Sequence, residues 1–390
     1  MKNIAINLLH ASSESQTGSF VYIKNLLEGL LKIDNGDRYY LILNAKNSRY
    51  FKKRYSQFNN VLFYISDFRQ DIWQNPLRAA SKLLAKVKKD YETREKILRN
   101  EIQQFVVKNK IELVFFPSGS IYPKNLSGVK IVTTILDVQH EYFPENFSKP
   151  YLVRRKQEAA YAVTNSDRII AISEFTKRSL IEKYQAKENK ISVIYLASSE
   201  NLNSNDDSLK LPAEFIFYPA AIWPHKNHKV LIRSLNLLKD HFPALNLVLT
   251  GLVKNKSLQQ ELNNQVQKLG LEERVHFLGF VSEDLMPAIY KKAKALVYPS
   301  SFEGFGIPIV EAFKFGLPVV AANNTSIGEI VGSAGVLVKT GDVSQLADSV
   351  KMVLTDSDLK NNLIQKGHKR LENFSWAKTA TKTLDIFNSL

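Results

Sequence analysis

The chain has 390 residues, of which 44% are hydrophobic and 23% are charged, a globular composition that excludes a disordered protein, a collagen and a coiled-coil rod. It contains no cysteine, which excludes disulfide bridges, thiolate metal sites and cysteine nucleophiles. A net charge of +15 indicates an anionic partner, such as a phosphorylated small molecule, an anionic lipid surface or nucleic acid.

The first half of the chain alternates short apolar runs with segments of helical periodicity. The N-terminal run is broken by Asn3 and Asn7, so it predicts a buried first strand and not a secretory signal. The strands predicted in this half are 4–8, 39–43, 61–65, 113–116, 131–135, 169–172 and 191–195, and helices are predicted over 20–31, 151–163 and 174–184. Nearly all-apolar strands that alternate with helices predict parallel sheets covered on both faces.

The pattern stops at the polar stretch SSENLNSNDDSLKLP, residues 198–212, and then restarts. The strands predicted after it are 215–218, 245–250, 275–278, 296–298, 319–321 and 335–338. The sequence therefore predicts an α/β protein of two Rossmann-like, doubly wound parallel-sheet domains that face each other across a cleft, with ligands outside the carboxyl ends of the strands. We expect domains over 1–200 and 201–374, and an amphipathic helix, 375–390, that could return to the first domain.

A basic stretch, 77–110, interrupts the first domain. Leu77, Leu84, Val87 and Tyr91 fall on one helical face that lysines surround. Such a helix could lie on an anionic membrane surface, or it could pack its apolar stripe on the sheet and expose a solvated basic face. We favour the second interpretation, and more strongly for the second half of the stretch.

The chemistry-bearing motif is YPSSFEGFGIPIVEAFKFGLPVV, residues 298–320. Pro308 stands where a first helical position is expected, and Gly316 where that helix should end. The preceding loop therefore delivers backbone amides to a helix N-terminus, an anion site suited to a diphosphate. Glu303 precedes this site and Glu311 lies about one turn into the helix, which suits a grip on sugar hydroxyls beside the phosphates.

This motif resembles the signature of the retaining glycosyltransferases of family 4, which have the GT-B fold and need no metal. The resemblance is strong over 215–350 and weaker over the first 110 residues. It implies that Glu303 acts as a catalytic-site residue on the donor-sugar hydroxyls, and that Glu311 contacts the ribose. It also implies that the donor sugar and its diphosphate face the backbone amides of Gly304, Phe305, Gly306 and Ile307.

The segment YPAAIWPHKN, 218–227, resembles the family segment that supplies an Arg and a Lys to the diphosphate. Lys226 takes the Lys position, whereas Ala221 stands at the Arg position, so His225 or another basic residue would have to substitute. Phe280 and Val281 resemble the lining of the nucleobase pocket, although core packing is the alternative. Glu329 recurs near that pocket in the family and could equally be a helix cap.

In the first domain the resemblance is less complete. Gly18 remains of the two glycines that the family places near the diphosphate. Asp137 is retained in the segment 131–147, where Leu136 replaces the family's His and His140 could take its role; a structural histidine is the alternative. Ser173 should face the cleft from the end of a strand, or cap the following helix.

Metal chemistry is not expected, because Asp356 and Asp358 precede a helix and are better explained as N-caps, and no third ligand accompanies His225 and His228. We expect no cofactor; the nucleotide sugar is a co-substrate. Paired glutamates divided between a loop and a helix fit a glycoside hydrolase poorly, and no recognition motif supports nucleic-acid binding.

The resemblance implies retaining transfer of a hexose-type sugar from a nucleotide-diphosphate donor to a hydroxyl of a glycan or lipid-linked glycan, in bacterial surface-polysaccharide synthesis. The alternative is a nucleotide-sugar epimerase on the same fold. The expected location is the cytoplasm, and the basic helix is compatible with peripheral binding to the inner face of the plasma membrane. Nucleobase, sugar and acceptor stay open.

Overall fold

The structure, a computed structural model, describes residues 1–12, 18–34, 36–67, 81–199 and 209–390, with the backbone alone over 81–91. It contains two parallel sheets, each covered by helices, which is the predicted fold class. None of the helices in the described ranges combines the length and apolarity needed to cross a bilayer.

The first domain is built on a seven-stranded sheet of order β3-β2-β1-β4-β5-β6-β7. Its strands are β1 (Asn3–Asn7), β2 (Arg38–Asn44), β3 (Val61–Ser66), β4 (Leu113–Phe116), β5 (Lys130–Ile135), β6 (Arg168–Ala171) and β7 (Ile191–Val193). Its helices are α1 (Gly18–Ile33), α2 (Ala45–Tyr55), α3 (Ser81–Lys108), α4 (Gln139–Tyr142), α5 (Lys149–Asn165) and α6 (Glu174–Tyr184).

The second domain is built on a six-stranded sheet of order β10-β9-β8-β11-β12-β13. Its strands are β8 (Phe215–Pro219), β9 (Asn246–Thr250), β10 (Val275–Gly279), β11 (Ala295–Tyr298), β12 (Val319–Ala322) and β13 (Gly335–Val338). The helices that follow are α7 (His228–Leu238), α8 (Lys256–Lys268), α9 (Met286–Lys292), α10 (Ile307–Lys314), α11 (Ile327–Val331), α12 (Val343–Thr355), α13 (Ser357–Leu371) and α14 (Trp376–Asn388).

Both sheets reverse their strand order at one point, and this decides where a ligand can bind. In the first sheet the reversal lies between β1 and β4, and in the second between β8 and β11. The connections that leave neighbouring strands at such a point run to opposite faces of the sheet, which opens a crevice beyond their carboxyl ends. The two crevices face each other across the cleft between the domains.

The strands predicted from the sequence are confirmed, with ends that differ by one or two residues. They are recognisable because parallel strands buried on both faces need apolar side chains at nearly every position; β4 and β11 are buried throughout. The predicted domain boundary, 198–212, falls largely outside the described residues.

The second half of α3 packs on the first sheet, as predicted. Leu98, Ile102 and Phe105 are buried, and the ring of Phe105 lies 5.7 Å from that of Tyr40. Leu77 and the side chains of Leu84, Val87 and Tyr91 lie outside the described residues, so the membrane interpretation of the first half stays a prediction.

The C-terminal helix α14 lies against the first domain. The Phe387 ring contacts Phe115 of β4 at 5.3 Å, and Lys2 Nζ donates to the carbonyl of Phe387 at 2.8 Å. Gly29 of α1 permits this packing, because a Cβ there would lie 2.9 Å from that of Ala380. Helices α1 and α14 therefore approach each other backbone to backbone.

Candidate functional site

A cleft of about 560 Å³ lies between the domains, at the carboxyl ends of the strands. Of the residues predicted to form the site, those that line it are Gly18, Asp137, Lys226, Phe280, Val281, Glu303, Gly304, Phe305, Gly306, Ile307 and Glu311. His140, Ser173 and His225 are not on its wall. The structure thus brings eleven of fourteen predicted residues together from both domains.

The centre of the cleft is the loop between β11 and α10. Gly306 caps the helix with φ of 107°, a left-handed conformation that glycine adopts without strain. Helix α10 starts at Ile307, so Pro308 occupies its second position and not the predicted first one. Gly316, with φ of 61°, follows the end of the helix as expected. Pro308 has no N–H and the Ile309 amide donates to the Gly306 carbonyl at 3.0 Å, so the amide left without a partner within the first turn is that of Ile307, which lines the cleft.

Glu303 is held from one side only. Lys226 Nζ and Tyr298 OH both donate to its Oε1, at 2.6 and 2.9 Å. Within the described residues, Oε2 has no hydrogen-bond partner. The Glu303 side chain is 13% exposed and lines the cleft, so its carboxylate is fixed in orientation and keeps one oxygen for a ligand.

Glu311 is the second acidic group of the cleft. Tyr290 OH donates to its Oε2 at 2.7 Å, and the Tyr290 ring stacks on Phe315 with 5.3 Å between centroids. Burial raises the pKa of the Glu311 carboxyl, and the nearby charge of Glu283 adds to this. The side chain is therefore a rigid acceptor, and its carboxyl takes up a proton at a higher pH than that of an ordinary glutamate.

Lys226 ends a single helical turn, Pro224–Lys226, and Asn227 follows it with φ of 55°. Tyr218 OH donates to the Lys226 carbonyl at 2.9 Å, and Asn227 Nδ2 donates to the Pro299 carbonyl at 3.0 Å. These bonds tie the turn to the sheet and to the Glu303 loop. The Lys226 side chain is 18% exposed, and its ammonium group has three donors, one of which serves Glu303.

Ala221 occupies the position of the family's Arg, so a basic side chain at another position would have to take its place. His225 does not supply the charge, because burial and the Lys226 charge lower the pKa of its imidazole to about 3 and keep it neutral at pH 7. Lys254, however, lines the same cleft. Its segment runs beside Ala221, since Ile222 N donates to the Leu252 carbonyl at 2.9 Å.

Asp137 reaches the cleft from the end of β5. Its Oδ1 accepts from the Gln139 amide at 3.0 Å and from Arg155 at 3.2 Å. His140 lies behind it with a 2% exposed side chain, bonded to Tyr184 OH at 2.6 Å, and burial lowers its pKa to about 4. The structure places His140 in the interior of the first domain; a catalytic role for it stays a prediction.

The remaining predicted residues have clear positions. Gly18 starts α1 at the cleft wall, with open space around the position of a Cβ. Ser173 caps α6, the predicted structural alternative, by accepting from the Thr176 amide at 3.0 Å, and it donates to the Gly304 carbonyl at 2.8 Å. Phe280 is 50% exposed beside the cleft, so it is not a core residue.

Within the described part of the chain, no three His, Asp or Glu residues are grouped closely enough to hold a metal ion. Asp356 accepts from the Leu359 amide at 2.8 Å and caps α13, whereas Asp358 lies in the first turn of that helix. The N-cap prediction is therefore confirmed for Asp356.

Two family models match the chain side by side. The model described as Glycosyltransferase Family 4 matches residues 17–197, and the model described as Glycosyl transferases group 1 matches residues 200–370. This chain is a family 4 glycosyltransferase. The family predicted from the glutamate motif is thereby confirmed.

Relatives of this glycosyltransferase include enzymes named for O-antigen synthesis. It is 25% identical to the O-antigen chain mannosyltransferase B of Escherichia coli over 309 residues, which cover 76% of this chain and 79% of that one. It is 30% identical over 240 residues to the serotype-specific mannosyltransferase WbdA of the same organism, which covers 58% of this chain and 29% of WbdA. The chain thus spans less than a third of WbdA.

The fold is shared with solved glycosyltransferase structures. The crystal structure of Anabaena Alr3699/HepE with UDP and glucose superposes with a TM-score of 0.74 at 20% identity and covers 100% of both chains. The lipopolysaccharide glycosyltransferase WaaG gives a TM-score of 0.67 at 14% identity, covering 98% of this chain and 99% of that one.

Sequence reasoning missed four residues of the glycosyltransferase cleft or its rim: Tyr298, Lys254, Glu283 and Lys24. Tyr298 and Lys254 lie at or just beyond the carboxyl ends of β11 and β9. That position in a doubly wound sheet was a usable signal for both. Lys24 carried no signal, because it looks like an ordinary solvated residue of α1.

Proposed function

We propose that this glycosyltransferase transfers a hexose from a nucleoside-diphosphate donor to a hydroxyl of a glycan or lipid-linked glycan during polysaccharide synthesis. The observation that carries the proposal is the Lys226–Glu303 pair, which stands beside the N-terminus of α10 with Glu311 one turn further on. The names of the O-antigen relatives support the polysaccharide context.

The proposed donor lies along α10. The diphosphate meets the amides of Gly304–Ile307 and the positive end of the helix dipole. The free Oε2 of Glu303 accepts from a hydroxyl of the sugar, and Glu311 accepts from the ribose. The exposed ring of Phe280 is suited to the face of a nucleobase.

Charge builds up on the leaving diphosphate as the bond to the sugar breaks. Lys226 keeps two of its three ammonium donors after it has bonded to Glu303, so it can serve the carboxylate and a phosphate oxygen together. We propose Lys254 as the second cation, in place of the family's Arg. Stabilisation that is already oriented toward such charge is the most effective kind.

We further propose that transfer retains the anomeric configuration and needs no metal. The bond from the anomeric carbon to the phosphate oxygen breaks while the acceptor oxygen bonds to the same face of that carbon. The acceptor proton passes to the departing diphosphate. The protein then contributes mainly position and charge stabilisation.

The test starts with a thermal-shift screen of UDP, GDP and dTDP and their hexose conjugates. GDP-mannose and UDP-glucose come first, because relatives are named mannosyltransferases and a neighbour's structure holds UDP and glucose. The stabilising donor is then incubated with glycan acceptors, with and without EDTA, and the product anomer is assigned by NMR. The proposal expects a retained linkage that EDTA does not abolish.

Three outcomes would contradict it. Conversion of the donor to an isomeric nucleotide sugar without acceptor would establish an epimerase. An inverted linkage would remove the proposed route of the acceptor proton. Loss of activity in EDTA, restored by one cation, would contradict metal independence.

For its location, we propose that the enzyme works at the cytoplasmic face of a membrane that carries the lipid-linked acceptor. The net charge of +15 supports this, because anionic headgroups attract basic proteins. Co-sedimentation with vesicles of phosphatidylglycerol, but not of phosphatidylcholine alone, is the expected result. Equal recovery in both pellets, or in neither, would contradict it.

A further inference from the structure

Phe302 belongs to the second domain, but its side chain is buried in the first. Its ring contacts the rings of Tyr142 at 5.6 Å, Phe175 at 5.7 Å and Phe143 at 5.9 Å. All three lie on or beside α4 and α6 of the first domain, and Phe302 is only 2% exposed. The ring therefore spans the domain boundary immediately before Glu303.

Two further contacts fix the same loop against the first domain. Ser173 Oγ donates to the Gly304 carbonyl at 2.8 Å. A Cβ built on Gly304 would lie 2.2 Å from the Leu136 carbonyl oxygen, so the two backbones touch. The residues on both sides of Glu303 are thus in contact with the opposite domain.

Glu329 makes the third connection. Its carboxylate accepts from the amides of Glu174 at 2.8 Å and Phe175 at 3.1 Å, the first residues of α6. A helix N-terminus leaves such amides free and favours a negative charge there. A carboxylate of the second domain therefore caps a helix of the first, the cap that the sequence left as an alternative for Glu329.

The Glu329 segment and the Glu303 loop form one unit. The Glu303 amide donates to Thr325 Oγ1 at 3.1 Å, and Ser326 Oγ donates to the Glu303 carbonyl at 2.9 Å. The backbone of Glu303 is thus held by a segment that is itself anchored on α6. Its carboxylate, in contrast, is held by Lys226 and Tyr298 of its own domain.

We propose that Phe302 is a positioning residue whose insertion into the Tyr142–Phe143–Phe175 pocket sets the Glu303 loop for transfer only when the domains are closed. The inference rests on the proposed function. In an open cleft the ring would be exposed to water and the loop would lose its anchors on the first domain. Closure buries the ring and orients the loop in one step, so donor binding alone does not complete the site.

The inference separates turnover from nucleotide binding. Lys226, Phe280 and Glu311 all belong to the second domain, so a nucleoside diphosphate retains them when the cleft is open. A weakened insertion of Phe302 should therefore lower kcat more than nucleotide affinity. A purely structural role would reduce thermal stability and affinity together.

The experiment compares Phe302→Leu and Phe302→Ala with the matched control Phe215→Leu. Phe215 is a fully buried phenylalanine of β8. We expect Phe302→Ala to lower kcat at least tenfold, Phe302→Leu to fall between it and wild type, and the Kd for UDP or GDP to change less than threefold. Phe215→Leu should lower the melting temperature and keep kcat within twofold.

A second variant, at a different residue, tests the same loop in case the Phe302 variants do not fold. Glu329→Gln weakens the cap on α6 and leaves the ring in place, and it should likewise lower kcat more than nucleotide affinity. Equal kcat for wild type and Phe302→Ala, or equal losses in kcat and affinity, would overturn the inference.

Small-angle scattering with saturating nucleotide tests this inference independently of the proposed function. If the wild type transfers no sugar, the proposed function fails. The positioning inference is still decided, because it requires a larger radius of gyration for Phe302→Ala than for wild type under these conditions. Identical radii would contradict it.

Discussion

The ammonium of Lys24 in α1 and the carboxylate of Glu283 beyond β10 form an ion pair across the mouth of the cleft, with Nζ 2.7 Å from Oε2 and 3.0 Å from Oε1. The Lys24 side chain is 7% exposed and that of Glu283 is 34% exposed. A nearly buried lysine in one domain thus depends on an acid of the other domain for its neutralisation.

Removal of that acid should favour an open cleft. In Glu283→Gln the charge of Lys24 would stay buried without its partner, a cost of about 1–2 kcal/mol after allowance for the exposure of the pair. Opening would return the lysine to water, so we expect a larger radius of gyration by small-angle scattering. Lys24→Met in the same chain should restore the wild-type value; failure to restore it would assign the change to another cause.

Lys226→Ala should lower turnover roughly 100-fold without unfolding the protein, because the departing diphosphate loses its main charge-assisted donor. Lys254→Ala should cost less, and the double variant more than either one. Lys229→Ala is the control, since that lysine pairs with Glu261 outside the cleft. Steady-state kinetics decides; near-normal turnover of Lys226→Ala would refute its proposed role.

Glu311 predicts a pH dependence of nucleotide affinity. Because burial raises the pKa of its carboxyl, the group should accept a proton at a higher pH than an ordinary glutamate. A protonated carboxyl is the weaker acceptor, so the affinity for UDP or GDP should fall as pH decreases from 7 toward 5. Glu311→Gln should bind about tenfold more weakly at pH 7.

Calorimetric titration over this pH range provides the comparison. The diphosphate itself titrates, and the glutamine variant reports that contribution alone. A wild-type profile parallel to that of Glu311→Gln would exclude the carboxyl from nucleotide binding.

Gly304→Ala should prevent closure and leave the second domain folded. The added methyl group would collide with the Leu136 carbonyl at 2.2 Å, a backbone atom that cannot turn away. We expect kcat to fall about 100-fold through misplacement of the reacting groups, at nearly unchanged nucleotide affinity. Gly36→Ala, at an exposed position with an ordinary 3.5 Å contact, is the matched control. If Gly304→Ala turned over as fast as wild type, the Leu136 backbone would have to move away from the added methyl group at little cost, which would contradict the prediction.

Acid should destabilise the fold through buried histidines. Burial lowers the pKa of His10 and of His228 from the ordinary 6.5 to about 4. The unfolded chain therefore takes up these protons first, so stability present above pH 6.5 is lost as pH falls toward 4, by up to about 1.4 kcal/mol per pH unit for each histidine.

Urea unfolding between pH 7 and 4 measures this loss. His228→Phe, which keeps an aromatic ring beside Tyr218, should flatten the profile. A change at the exposed His241 should not. Identical profiles for wild type and His228→Phe would contradict the argument.

The sequence was sufficient for the strands and for the centre of the site, for a local reason in each case. Apolar runs mark strands that are buried on both faces, and the loop before α10 combines glycine, proline and glutamate within one short segment. The residues next to Glu303 and Glu311 are therefore enough to identify these two glutamates as site residues. Two Rossmann-like domains followed from the same local patterns.

Contacts between the domains could not be predicted in this way. Phe302 and Lys24 owe their burial to partners far along the chain, and the neighbouring residues do not indicate which partners these are. His140 shows the same limit within one domain. Its position after β5 is compatible with the cleft, but the bond to Tyr184 turns the ring into the interior.

The chain passes between the domains twice, once beyond β7 and once before α14, and described residues beside the two passages are in contact. Trp376 Nε1 donates to the Ser198 carbonyl at 2.8 Å, and the rings of Tyr195 and Phe374 lie 5.7 Å apart. Two covalent connections between the domains, with their flanking residues in contact, restrict how the domains can move relative to each other. The domains should therefore rotate about a single axis, so that Phe302 enters the Tyr142–Phe143–Phe175 pocket each time the cleft closes.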